Sequence, residues 1–134
     1  MTKDEIISKV KALNLPENSY VVFGSCPMAV LGLREAKDID LVVSPQVFGF
    51  LKAAGWEVVK KGGKDNRLAW DVYEAHGEWN YLQTLLSSAT MVDGVPFASL
   101  AELRKWKQGR GREKDLADIK LIDEYSEKQK IQKL

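Results

Sequence analysis

Apolar residues recur along this chain with two different periods. Ile6, Ile7, Val10 and Leu13 lie at helical spacing. Thr2 and Glu5 ahead of them form a capping-box pattern, and Pro16 sets the limit of that helix. Tyr20-Val21-Val22-Phe23 is instead a continuous β-rich run ending at Gly24, the pattern of a strand covered on both faces. Gly24-Ser25-Cys26-Pro27 turns into a short helix reaching about Leu33, with Pro27 suited to its first turn. Asp38-Ile39-Asp40-Leu41-Val42-Val43 predicts a second strand. Ser44-Pro45 then reads as an N-cap and first-turn proline, opening a helix to about Ala54 that Gly55 ends.

The second half continues the alternation. Trp56 to Lys60 and Leu68 to Tyr73 are further strands, joined as a hairpin across Lys61 to Asn66. Glu78 to Ser88 fits no single pattern. Asp93-Gly94 between Met91-Val92 and Val95 is a hairpin signal. Ser99 and Glu102 form a second capping-box pattern, opening a helix to about Gln108, and Gly109-Arg110-Gly111 breaks it. A C-terminal helix over about residues 112–130 carries Leu116, Ile119, Ile122 and Tyr125 inward and frays in its polar end. Helices interleaved with strands give an α/β (α+β) class, with one small mixed β-sheet flanked by helices in a single domain over residues 1–134.

Composition narrows the function classes. The 134 residues carry 20 Lys and Arg against 19 Asp and Glu, a net charge of +1, so no overall field draws nucleic acid or an anionic membrane. The 45% hydrophobic content is that of a folded chain rather than a disordered one. Cys26 is the one cysteine, which excludes an intramolecular disulfide and a cysteine-held zinc and fits a reducing compartment. The start, Met1-Thr2-Lys3-Asp4-Glu5, has no apolar signal core, and no run approaches the ~20 apolar residues of a membrane span. The expectation is a soluble, cytoplasmic protein.

The chemistry concentrates between Phe23 and Val43. Side chains two apart on a strand share a face, so Asp38 and Asp40 are expected to point the same way. Two neighbouring carboxylates repel, and a divalent cation removes that cost. Mg²⁺ in particular is held by a few carboxylates together with substrate phosphates. Gly24-Ser25 precedes a predicted helix start, where close backbone approach, free amides and a hydroxyl suit a phosphate. Phosphates at one end and a metal at the other are what phosphoryl or nucleotidyl transfer requires. Asp71, an acid inside an apolar run, is the candidate third carboxylate, as ligand or as general base.

With these residues the chain resembles the nucleotidyltransferase superfamily, the group that includes DNA polymerase beta and small antibiotic-modifying transferases. The shared pattern is Gly24-Ser25, twelve residues, then Asp38-Ile39-Asp40. It is most similar to the abortive-infection type and lincosamide-type transferases, in Gly32-Leu33-Arg34 leading to Asp38-Ile39-Asp40-Leu41 and in the late Arg112-Glu113-Lys114-Asp115-Leu116-Ala117-Asp118. The similarity spans about residues 20–125, and Cys26-Pro27 stands where several relatives have arginine. The resemblance implies a nucleotidyltransferase-like fold and Mg²⁺- or Mn²⁺-dependent transfer of a nucleoside monophosphate from an NTP to a hydroxyl-type acceptor. On it, Asp38 and Asp40 match the metal-binding acids, Asp71 the third acid, and Gly24 and Ser25 the phosphate turn. It also implies a homodimer as one way to build an acceptor site.

Other residues admit plainer accounts. Arg34 and Lys37, just before the acidic strand, are nucleotide-binding candidates or ordinary surface charges. Residues 104–114 hold Arg104, Lys105, Lys107, Arg110, Arg112 and Lys114 against Glu113, a nucleic-acid-binding pattern or a solvated helix face. His76 reads as a surface or turn residue, Cys26 as packing, and Gly62-Gly63 as a mobile turn. Trp56, Trp70, Trp79 and Trp106 read as core anchors. The alternatives to an enzyme are an inactive nucleotide- or partner-binding module of the same fold and a nucleic-acid-binding accessory protein.

Overall fold

The local signals at the N-terminus become structure directly. In α1 (Lys3–Ala12) the Thr2 hydroxyl accepts from the Glu5 amide while the Glu5 carboxylate accepts from the Thr2 amide, closing the capping box. The helix buries Ile6, Ile7 and Val10, each contributing roughly 1.5–3 kcal/mol as an upper estimate. The computed structural model describes residues 1–61 and 64–133, and the side chains of all of these except 61, 64–66 and 79. The Gly62-Gly63 turn and the Trp79 side chain lie outside that set.

Among the described residues seven strands follow, interleaved with five more helices: β1 (Tyr20–Phe23), α2 (Cys26–Ala29), β2 (Ile39–Val43), α3 (Pro45–Ala53), β3 (Glu57–Lys61), β4 (Lys64–Trp70), β5 (Tyr73–His76), α4 (Trp79–Ser87), β6 (Thr90–Val92), β7 (Val95–Phe97), α5 (Leu100–Arg110) and α6 (Glu113–Gln132). They form one mixed sheet in the order β3-β4-β5-β2-β1-β7-β6. The pairs β1–β2, β3–β4, β4–β5 and β6–β7 are antiparallel, while β1–β7 and β2–β5 are parallel. This is the mixed, helix-flanked α+β architecture expected from the sequence.

Strand alternation divides the core. Tyr20, Val22, Ile39, Leu41 and Val43 join α1 and α3 in the larger cluster on one face. Val21, Phe23 and Val42 point to the other face, against Leu82 and Leu85 of α4. Met28, Leu103 and Ile122 tie α2, α5 and α6 together beside it. Ser44 caps α3 by accepting from the Val47 amide, Asp93 and Gly94 form the β6–β7 turn with φ of 50° and 82°, and Ser99 caps α5. These match the local readings, except that the Glu102 side chain does not close the second capping box. The stretch that fitted no pattern holds α4.

Three expectations are corrected. Leu68 to Tyr73 is not one strand: β4 ends at Trp70, Asp71 turns with φ 52°, and β5 begins at Tyr73 and pairs back onto β4. Trp70 is not a core anchor; it is 53% exposed and stacks on Tyr73. In α6 Leu116 is exposed, and the inward positions of its first turns are Asp115 and Asp118, at 1% and 5% exposure. Buried carboxylates at those positions are compensated by cations, as described next.

Candidate functional site

Register decides what meets on the second face of the sheet. Phe23 of β1 pairs with Asp40 of β2, and Asp40 pairs with Glu74 of β5. One pair further along, Val42 meets His76, and His76 meets Arg67 of β4. Residues paired across strands lie side by side on one face. The floor of a cleft of about 960 Å³ is thus set by Asp40, Glu74 and His76, with Asp38 at the entry to β2. That volume lies in the range of small-molecule sites.

The acidic floor is tight. Ligand atoms of Asp40, Glu74 and His76 all lie within 4.8 Å of one another. His76 Nε2 is 3.8 Å from Asp40 Oδ1 and 3.9 Å from Glu74 Oε2. Burial, followed by the adjoining Asp40 carboxylate, raises the Glu74 pKa. Arg67 Nη1 reaches Glu74 Oε2 at 3.4 Å. Behind the floor Gly24 turns with φ 72°, and a Cβ there would collide with Asp40 Oδ2. Only glycine serves both demands. Next to it the Cys26 thiol donates to the Asp38 carbonyl at 3.3 Å. Burial first, with Asp40 nearby, pushes that thiol up to about 12, so Cys26 packs and positions rather than reacts.

The opposite wall is cationic and comes from α5, α6 and the loop before β2. Lys107, only 4% exposed, bonds Asp118 at 2.8 Å. Arg34 reaches both oxygens of Asp118 at 3.0 and 2.7 Å. Arg112 bonds Asp115 through its own amide and two guanidinium nitrogens, which holds the Asp115 carboxyl below its usual range. Arg110 lies 4.4 Å over the Trp106 ring. Arg110, Lys37 and Lys114 line the cleft without a carboxylate partner among the described residues. Arg104 is bound outside the cleft by Asp123. Of the six cations in 104–114, three are therefore paired within the chain.

The residues expected from the sequence divide accordingly. Gly24, Ser25, Arg34, Lys37, Asp38 and Asp40 all line the cleft. Ser25 makes no side-chain cap bond, so α2 leaves its hydroxyl unused. A helix of only four residues adds little dipole, so the turn itself, rather than a helix end, offers the donors. Asp71 does not line the cleft. It sits exposed in the β4–β5 turn, where its charge acts on Tyr73 of the other face. Glu74 holds the position beside Asp40 instead. His76 is a strand residue of the floor rather than a surface turn. Tyr73-Glu74-Ala75-His76 alternates apolar and polar residues, the signal that would have put both on one face.

The donor chemistry fits a divalent cation. Two carboxylates meet beside a histidine nitrogen that is buried and has no hydrogen-bond partner among the described residues. Asp40, Glu74 and His76, with Asp38 adjoining, are the residues able to hold it. No helix of the described residues is long and apolar enough to cross a membrane. Comparison with protein-family models, curated proteins and solved structures returned no match.

Proposed function

We propose that this chain is a metal-dependent nucleotidyltransferase, moving a nucleoside monophosphate from an NTP to a hydroxyl-type acceptor. The observation that carries the reading is the bipolar cleft: an acidic floor of Asp38, Asp40 and Glu74 facing a wall of Arg34, Lys37, Lys107, Arg110, Arg112 and Lys114. An anionic polyphosphate needs the wall, and a charge-neutralising cation needs the floor. The motif resemblance set out from the sequence agrees with that division.

Each group has a role in this reading. Asp38, Asp40 and Glu74 would hold the ion, Mg²⁺ or Mn²⁺. When bound, it would neutralise charge developing on the reacting phosphate. Gly24 lets the backbone come close, and Ser25 donates its free hydroxyl to a phosphate oxygen. Lys37, Arg110 and Lys114 supply charge to the polyphosphate tail. Arg34 and Lys107, fixed by Asp118, are held in place before substrate arrives, so little ordering cost remains. The acceptor oxygen bonds the α-phosphorus, the bond to pyrophosphate breaks, and the acceptor proton passes to a floor carboxylate.

The test incubates the protein with each NTP, Mg²⁺ or Mn²⁺ and a pool of hydroxyl acceptors, followed by mass spectrometry for NMP adducts. Adducts and pyrophosphate are expected with the native chain and neither with Asp40→Asn. Metal-dependent nucleotide binding without pyrophosphate would establish the inactive binding module instead. Equal turnover by Asp40→Asn contradicts the mechanism.

A further inference from the structure

The floor of the cleft is not an all-oxygen site. His76 projects from β5 on the same face as Glu74, two residues along, and beside Asp40 of the paired strand. Its Nε2 is buried, lacks a hydrogen-bond partner among the described residues, and stands 3.8 Å and 3.9 Å from the nearest oxygens of Asp40 and Glu74. The ring is fixed by an edge-on contact with Phe23, centroids 5.2 Å apart. A buried ring nitrogen without a partner is a cost that a ligand would remove.

We infer that His76 is a nitrogen ligand, so that Asp40, Glu74 and His76 take a transition cation of the Mn²⁺-to-Zn²⁺ class in preference to Mg²⁺. Donor type sets the preference. Mg²⁺ demands oxygen ligands and gives up its water reluctantly, whereas imidazole nitrogen suits the later first-row ions. Zinc accepts both imidazole nitrogen and carboxylate oxygen, and a site of three protein ligands leaves a further position for water or substrate. Arg67 bonds Glu74 Oε2 and offsets one of the two negative charges, so the imidazole adds affinity without adding charge. The inference rests on the acidic floor as a cation site, the same floor used in the proposed function, but not on turnover.

His76 is the only histidine of the chain, so its imidazole resonances are unambiguous. The untagged, full-length protein, labelled with ¹⁵N, is titrated with Zn²⁺ alone while long-range ¹H–¹⁵N correlations of the imidazole are recorded. One Zn²⁺ per chain is expected to move Nε2 to the metal-bound position, and a large excess of Mg²⁺ neither reproduces nor reverses the shift. Asp40→Asn, read in the same way, should weaken Zn²⁺ about tenfold or more. By calorimetric titration of each ion, His76→Gln should weaken Zn²⁺ by a similar factor and leave Mg²⁺ affinity within about twofold. An unchanged Nε2 at saturating Zn²⁺ overturns the inference, and so does an equal response to Mg²⁺. The native spectrum decides even if a variant fails to fold. Zn²⁺ on His76 without NMP transfer would sink the transferase reading and leave this inference standing; transfer without Nε2 ligation would do the reverse.

Discussion

Replacing Gly24 by alanine tests whether the turn behind the site is dictated by the site itself. At φ 72° the left-handed backbone costs an alanine about 1–2 kcal/mol whatever surrounds it. The added Cβ also collides with Asp40 Oδ2, and Asp40 Cγ and Cβ follow at 3.1 and 3.2 Å. Driving the Asp40 side chain off its rotamer adds about 0.5–1.5 kcal/mol. Gly24→Ala should therefore lose about 1.5–3.5 kcal/mol in urea unfolding, with an unchanged slope. Asp40→Ala removes the two worst contacts, so in that background the same glycine substitution should cost only the backbone part, about 1–2 kcal/mol. The double-mutant cycle isolates the coupling. A coupling below about 0.3–0.5 kcal/mol, the usual additivity error, would refute the claim that Asp40 excludes a side chain at position 24.

Other substitutions separate the parts of the cleft. Asp118→Asn strands the buried Lys107 ammonium and should cost about 3–5 kcal/mol in chemical denaturation, more than Lys107→Met, which removes the stranded charge. Asp115→Asn should destabilise at neutral pH by an amount that fades in acid. The Asp115 carboxyl is held low by Arg112, so its stabilisation is present above the unfolded carboxylate range and is lost as pH falls through the folded value. Melting curves between neutral pH and pH 3 check this, and a difference constant across that range would contradict it. Asp71→Asn should leave NMP transfer within about twofold, whereas Glu74→Gln should lower it about 10²-fold or more, a contrast that a reversed order in steady-state rates would overturn.

What could be read without coordinates was mostly local. Thr2 with Glu5, Ser44-Pro45 and Asp93-Gly94 act through bonds within four residues, and each formed as the sequence dictated. Gly24, Ser25, Asp38 and Asp40 lie within one strand–helix–strand unit, and all line the cleft. Glu74 and His76 were hidden because the Trp70-Asp71-Val72-Tyr73 run is apolar but for Asp71 through a two-residue turn, which merges two strands into one by pattern. Their partnership with Asp40 is a parallel pairing more than thirty residues away, which no local spacing encodes. Asp115 and Asp118 were misplaced for a related reason. The apolar period of α6 favoured Leu116, but Arg34, Lys107 and Arg112 make two carboxylates the stable inward residues.

The most direct test of the bipolar cleft is calorimetric titration of a non-hydrolysable NTP analogue into the native chain and into Asp40→Asn, with and without Mn²⁺. The account predicts one nucleotide per chain, bound tightly only when the metal is present, and loss of that dependence in a folded Asp40→Asn. Absence of nucleotide binding under every condition, or metal-dependent binding undiminished in Asp40→Asn, would contradict it.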